Sequence, residues 1–292
     1  MNQSARVLCE GIYFGEGPRW REGRLWFSDF FARTVSTVSL QGDVRVEFAL
    51  DDAPSGLGWM PDGSMLIVSM TRRRVLRRSP DGAMSVHADL ANIAAFHCND
   101  MVVDSSGRAY VGNFGFDLFH EMTARGRESV FGSHATAKLA RISPNGFAEV
   151  AAEDMHFPNG SVITPDGKTL IVGETLAASL TAFDIGPDGT LSGRRIWAST
   201  FPRIPDGIAL DASGAIWVAN ARAAECARIA QGGEALETVS TSQNCFACML
   251  GGDDGKTLFM MTAPTSLPDQ ASAAPKGRIE IATVESGHTG LP

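Results

Sequence analysis

The chain has 292 residues, enough for one large domain or two small ones, and its 44% hydrophobic content supplies a sizeable core. A net charge of −8 excludes a general nucleic-acid binder, which needs a basic face against phosphates. No run of 18 or more apolar residues is present, which excludes a membrane-spanning helix.

The first ten residues carry Arg6 and Glu10 and have no long apolar stretch, so they do not read as a secretory signal, and the expected location is cytoplasmic. A first apolar hairpin follows at 17–28, Gly-Pro-Arg-Trp-Arg-Glu-Gly-Arg-Leu-Trp-Phe-Ser, turning at Gly23. A second copy at 54–69 opens Pro-Ser-Gly and turns at Gly63. The arginines that follow (Arg72, Arg73, Arg74, Arg77 and Arg78) form an isolated cluster, read as the solvated turn and edge of a hairpin. Further copies at 99–112, 158–173, 205–219 and 248–261 turn at Gly107, Gly167, Gly214 and Gly255.

The gaps between these turn glycines are 40, 44, 60, 47 and 41 residues. After most copies comes a second hairpin motif, such as Arg-Ile-Ser-Pro-Asn-Gly at 141–146. Four strands per unit at a period near 40–45, six times, predicts an all-β, six-bladed propeller occupying 1–292 as one domain. The segment 6–10 is expected to pair with 277–284 and close the ring, leaving few open edges. The gap of 60 holds an insertion at 114–134, rich in Phe, Gly, His and Arg, which is expected to be a lid over one face.

Five cysteines at irregular spacing make a poor disulfide framework. Cys245 and Cys248 form a lone C-x-x-C beside a strand and are read as small buried apolar side chains.

A propeller gathers the innermost strand of each blade around a channel, so equivalent repeat positions converge. At the start of that strand the copies carry Glu16, Ser55, Asn99 with Asp100, Asn159 and Asp206. Singly, Asn-Gly and Asp-Gly read as turns. Together, two carboxylates and two carboxamides make an oxygen-rich ring. Carboxylates buried side by side repel, and a divalent cation would neutralise them. Oxygen ligands suit Ca²⁺, Mg²⁺ or Mn²⁺, and Zn²⁺ also accepts carboxylates.

At these residues, from Gly15-Glu16-Gly17-Pro18 through Asn99-Asp100 and Pro158-Asn159-Gly160 to Pro205-Asp206-Gly207, the sequence resembles the regucalcin/gluconolactonase family, the senescence-marker-protein-like lactonases. The resemblance covers essentially the whole chain. It implies a six-bladed propeller holding one divalent metal ion, Ca²⁺ first, through Glu16, Asn159 and Asp206. It also implies that Asn99 lies near metal and substrate, supported by Asp100, and that a small lactone is opened by hydrolysis. Asp206 is the implied general base and Asp100 the competing candidate. Some sugar-lactone members carry an Arg two positions before Asn99; here it is His97. With the aromatic insertion (Phe114, Phe116, Phe119, His120), this departure points to a less polar ring held by His97, Phe114 and Phe116. Other readings are a metal-dependent aryl esterase or organophosphate hydrolase, and a non-catalytic regulatory propeller. The expected partner is a small molecule, with no nucleic acid and no membrane, and the chain is expected to be a monomer or homodimer. No G-x-S-x-G motif is present to support a serine nucleophile.

Overall fold

In the computed structural model, which describes residues 2–292 with side chains from Ser4 onward, the repeat becomes six antiparallel sheets. Their innermost strands are Gly15–Arg21, Pro54–Trp59, Cys98–Val103, Pro158–Ile163, Pro205–Leu210 and Asn244–Gly251. Each packs against the innermost strand of the next blade, and the sixth packs back on the first, so the ring is closed around an axis. This is the all-β six-bladed propeller expected from the period. The turn glycines Gly23, Gly63, Gly107, Gly167, Gly214 and Gly255 all have φ between 68° and 85°, joining first to second strands.

The core lies between blades. One apolar cluster fills each blade–blade contact, for example Leu66, Val68, Met101 and Val111 between the second and third blades, or Val162, Ile171, Ile208 and Val218 between the fourth and fifth. A blade buried on both faces needs apolar residues on both, so inner and second strands read as continuous runs such as Met65–Ser69 rather than alternating ones. Cys226, Cys245 and Cys248 are free thiols buried in the cluster between the fifth and sixth blades, and burial pushes the Cys226 and Cys245 thiols up in pKa. The C-x-x-C is therefore packing material.

Closure is by the N-terminal segment. Arg6–Ile12 pairs antiparallel with Gly277–Thr283 and supplies the outer strand of the sixth blade. The segment Asn2–Ser4 then continues onto the fifth blade, running parallel to Ala235–Ser240. One chain end thus ties two blades, which the repeat alone did not indicate. The arginine cluster lies on the second blade's Arg74–Arg78 strand and its turn; Arg72 pairs with Asp51, Arg74 with Asp89 and Arg77 with Asp62. Among the described residues no helix is long and apolar enough to cross a membrane.

Neighbouring inner strands approach so closely that side chains are excluded at points. A Cβ on Gly160 would sit 2.5 Å from the Ile208 amide nitrogen and 2.6 Å from the Asp206 carbonyl oxygen, both backbone atoms of the next blade. Gly160→Ala is expected to cost about 2 kcal/mol as the fourth and fifth blades are forced apart. Urea unfolding measures it, and an unchanged midpoint would show that the approach is not tight.

Candidate active site at the propeller axis

Every blade breaks its inner ladder at the same place. Pairing between first and second strands slips between Glu16 and Arg19, Pro54 and Leu57, Cys98 and Met101, Pro158 and Ser161, Pro205 and Ile208, and Cys245 and Ala247. Each slip is a bulge, one residue more on the inner strand than on its partner, and bulges re-aim side chains. The residues inside them include Asn99, Asp100, Asn159 and Asp206, with Glu16 at the edge of its own. Asn-Gly and Asp-Gly are thus bulge residues, not turns. The glycine lets the next blade approach, and the polar residue before it turns to the axis.

Glu16, Asn99, Asn159 and Asp206 all line one cavity of about 510 Å³. All four are buried. The Asn99 Nδ2 donates to Asn159 Oδ1 at 2.8 Å, and Ser55 Oγ donates to Asn99 Oδ1 at 3.4 Å. The Asn159 Nδ2 donates in turn to Thr175 Oγ1 at 3.1 Å, whose hydroxyl donates to the Pro205 carbonyl at 2.9 Å. This chain fixes both amides and links the third, fourth and fifth blades. Asn159 Oδ1 keeps a second lone pair for a ligand.

The electrostatics leave charge to be balanced. Burial, then the charge of Asp206, then that of Asp100, pushes the Glu16 carboxyl well above its ordinary range. Burial and the charge of Asp100 do the same to Asp206, against a hydrogen bond from Asn159. Burial also raises Asp100, although the Arg19 guanidinium works the other way. Arg19 is the one cation in this group. Its nitrogens donate to the carbonyls of Leu57 at 2.9 Å, Pro18 at 2.7 Å and Met101 at 2.6 Å, so it ties the first three blades beneath the ring. Three ionised carboxyls and one guanidinium would leave a charge of −2, which one divalent cation cancels. The Oδ1 atom of Asp100 is buried with no hydrogen-bond partner. The donors are all oxygen, and their charge, burial and chemistry fit a hard divalent ion. No cluster of three or more His, Cys, Asp or Glu side chains arranged to hold a metal occurs among the described residues.

Two residues expected at the substrate, Asp100 and Phe116, are not among those lining the cavity. Asp100 lies beside Asn99 in the third blade's bulge. Phe116 is also outside the lining: its ring stacks on His134, centroids 6.1 Å apart, inside the insertion. His97 and Phe114 do line it. His97 stacks on Phe96 at 4.0 Å, and burial lowers its pKa, favouring the neutral imidazole.

The insertion folds as two short helices, α1 (Leu118–Arg125) and α2 (Arg127–Gly132). It is the third blade's version of the connection between second and third strands, which lies over the axial face in every blade. Asp117 caps α1 by accepting from the His120 amide at 3.0 Å. Leu118, Phe119, Met122 and Phe131 project into the cavity wall. At the insertion's end His134 Nε2 meets His156 Nδ1 at 2.9 Å, fastening it to the fourth blade.

The opposite wall was not foreseen. Phe14, Phe30, Phe31 and Phe246 cluster there, with Phe14 and Phe246 centroids 4.8 Å apart. Phe246 occupies the sixth blade's bulge, where other blades place polar groups. The signal lay in the repeat itself, in the one copy whose axial position is apolar. The cavity is therefore an aromatic chamber over a polar floor.

Known proteins bear on this geometry. Residues 14–264 match the family described as the SMP-30/Gluconolactonase/LRE-like region. Regucalcin of Oryctolagus cuniculus is 23% identical over 98% of this chain and 95% of its own length. The pentonolactonase XacC of Haloferax volcanii is 26% identical, covering 88% of this chain and 84% of its own. The crystal structure of a calcium-binding protein, regucalcin, from Agrobacterium tumefaciens superposes with a TM-score of 0.81 at 22% identity, covering 100% and 97% of the two chains. With the family match spanning most of its length, the chain belongs to the SMP-30/gluconolactonase/LRE-like family.

Proposed function

We propose that this protein is a divalent-metal-dependent hydrolase that opens the ring of a small, largely apolar lactone. The observation that carries the reading is the oxygen ring of Glu16, Asn99, Asn159 and Asp206 at the floor of a phenylalanine-walled cavity. The pentonolactonase relative supports lactone chemistry, and the calcium-binding regucalcin supports Ca²⁺ as the first ion to test.

Glu16, Asn159 and Asp206 would hold the ion. Bound there, it supplies Lewis acidity toward the lactone carbonyl. Asp206, at the cavity surface, accepts a proton from water as the hydroxyl adds to the acyl carbon. The acyl C–O bond then breaks, and Asp206 returns the proton to the ring oxygen that leaves. Asn99 orients the substrate without adding charge. Neutral His97 offers one donor and one acceptor to the ring or its substituent. The aromatic walls keep bulk water out.

The test is hydrolysis of sugar lactones, alkyl lactones and an aryl acetate by metal-stripped protein, before and after adding Ca²⁺, Mn²⁺, Mg²⁺ or Zn²⁺, followed by pH drop. Metal-restored opening of alkyl lactones above sugar lactones is expected. An aromatic chamber also accepts an aryl ester, and a preference for the acetate would move the reading to an esterase. No turnover by folded, metal-loaded protein would overturn it.

A further inference from the structure

The chamber has a charged mouth as well as a charged floor. Fourteen arginines elsewhere on the molecule are ion-paired to carboxylates. Three that line the cavity, Arg33, Arg127 and Arg222, have no carboxylate partner among the described residues, and all three are exposed. They come from three separate elements: the connections between second and third strands in the first and fifth blades, and the insertion, which is the same connection in the third. The Arg222 guanidinium lies over the Phe131 ring at 5.6 Å, which holds its plane against the wall and leaves its N–H edge free.

Cavity-lining carboxylates do not neutralise them. Glu16 and Asp206 are at the floor, and Asp52 is taken up by Ser69 Oγ at 2.6 Å, by Thr71 Oγ1 and by the Arg72 amide at 3.0 Å. On a protein of net charge −8, an anion is repelled in general, so convergent unpaired arginines at one opening select for it locally. A ring opened at the floor forms its new carboxylate among the buried Glu16, Asn159 and Asp206, not among the exposed arginines, so product alone does not account for a cationic mouth.

We infer that the substrate is an amphipathic lactone carrying a carboxylate on an apolar arm, the carboxylate held by Arg33, Arg127 and Arg222 at the mouth while the ring reaches the floor. Guanidinium edges pair with planar carboxylates through two parallel hydrogen bonds. The apolar arm between the ends is what the phenylalanines would cover. This inference rests on the hydrolase reading for the ring, but the anion subsite can be read without turnover.

The probes are a γ-lactone bearing a short alkyl chain ended by a carboxylate, the same lactone ended by a carboxamide, and a third ended by a phosphate. Metal-loaded protein is expected to favour the carboxylate over the amide in kcat/KM by about tenfold, falling as salt screens the rim. The R33Q/R127Q/R222Q variant is expected to lose that preference through KM with kcat for the amide unchanged. A wild-type ratio near one, or a ratio that survives the triple substitution, overturns the inference and leaves the hydrolase reading standing. If no probe turns over, calorimetric titration reads the same ratio: preferential binding of the carboxylate supports the subsite while the hydrolase reading falls alone. Tighter use of the phosphate than the carboxylate overturns the assignment to a carboxylate.

Discussion

Glu16→Gln and Asp206→Asn are each expected to reduce lactone turnover by about a thousandfold while leaving the propeller folded. The two losses have different origins. Asp206→Asn removes the group that accepts the proton from water, and an amide at the same place cannot replace it. Glu16→Gln leaves the proton acceptor in place but removes an anionic donor from the floor, so the charge that would hold a cation falls. Neither should weaken the fold, because each deletes a carboxyl that burial and a neighbouring carboxylate push above its ordinary range. Thermal melting of the metal-free variants is expected to match or exceed that of the parent. Asp100→Asn is the comparison that separates ring from support: Asp100 stays off the cavity wall, so its loss should cost less than either. Turnover close to normal in Glu16→Gln or Asp206→Asn would remove the floor carboxylates from the chemistry.

How far the site was legible follows from which features repeat. The turn glycines recur at a near-constant period, and a hairpin needs a positive φ at that point, so the six blades could be counted directly. The axial residues were found by the same logic, since equivalent positions in a closed ring converge. What repetition could not show was how they reach the axis. Asn159-Gly160 and Asp206-Gly207 have the composition of turns, and only the six matching bulges reveal that the glycine serves the contact between blades. Arg19 was visible as a residue of the first copy but carried no mark of burial. Its role depends on Leu57 and Met101, which lie in other blades. The split between Asn99 and Asp100 depends on bulge geometry, which adjacent letters do not encode. Phe114 and Phe116 share aromatic character and a place in the insertion, yet they lie in the irregular segment before α1, where Gly115 at φ 78° separates them and one ring meets His134 while the other lines the cavity. The wall of Phe14, Phe30, Phe31 and Phe246 assembles from the first and sixth blades, a contact that exists only because the ring closes.

A divalent cation at the floor should change the sign of the protein's pH response. In the metal-free protein Glu16 and Asp206 have pKa values well above their ordinary 4.5 and 3.8, because burial and then neighbouring carboxylates (Asp206 and Asp100 for Glu16, Asp100 for Asp206) penalise the charged forms. Above those ordinary values the unfolded chain has released these protons while the native state still holds them. The native state then binds more protons than the unfolded state, so stability is fully present at low pH and declines as pH rises through the raised native values. A bound cation requires the same carboxyls ionised, so its binding releases protons and strengthens as pH rises. Calcium at about a hundredfold above its dissociation constant would add about 2.7 kcal/mol, or about 5 °C in Tm for a chain of this size. That gain should be larger at pH 8 than at pH 5, and Asp206→Asn should abolish most of it. Calorimetric melting of metal-stripped protein at both pH values, with and without each of Ca²⁺, Mn²⁺, Mg²⁺ and Zn²⁺, measures it. A Tm indifferent to all four ions, or a gain equal at both pH values, would mean that the floor carboxyls do not hold a cation.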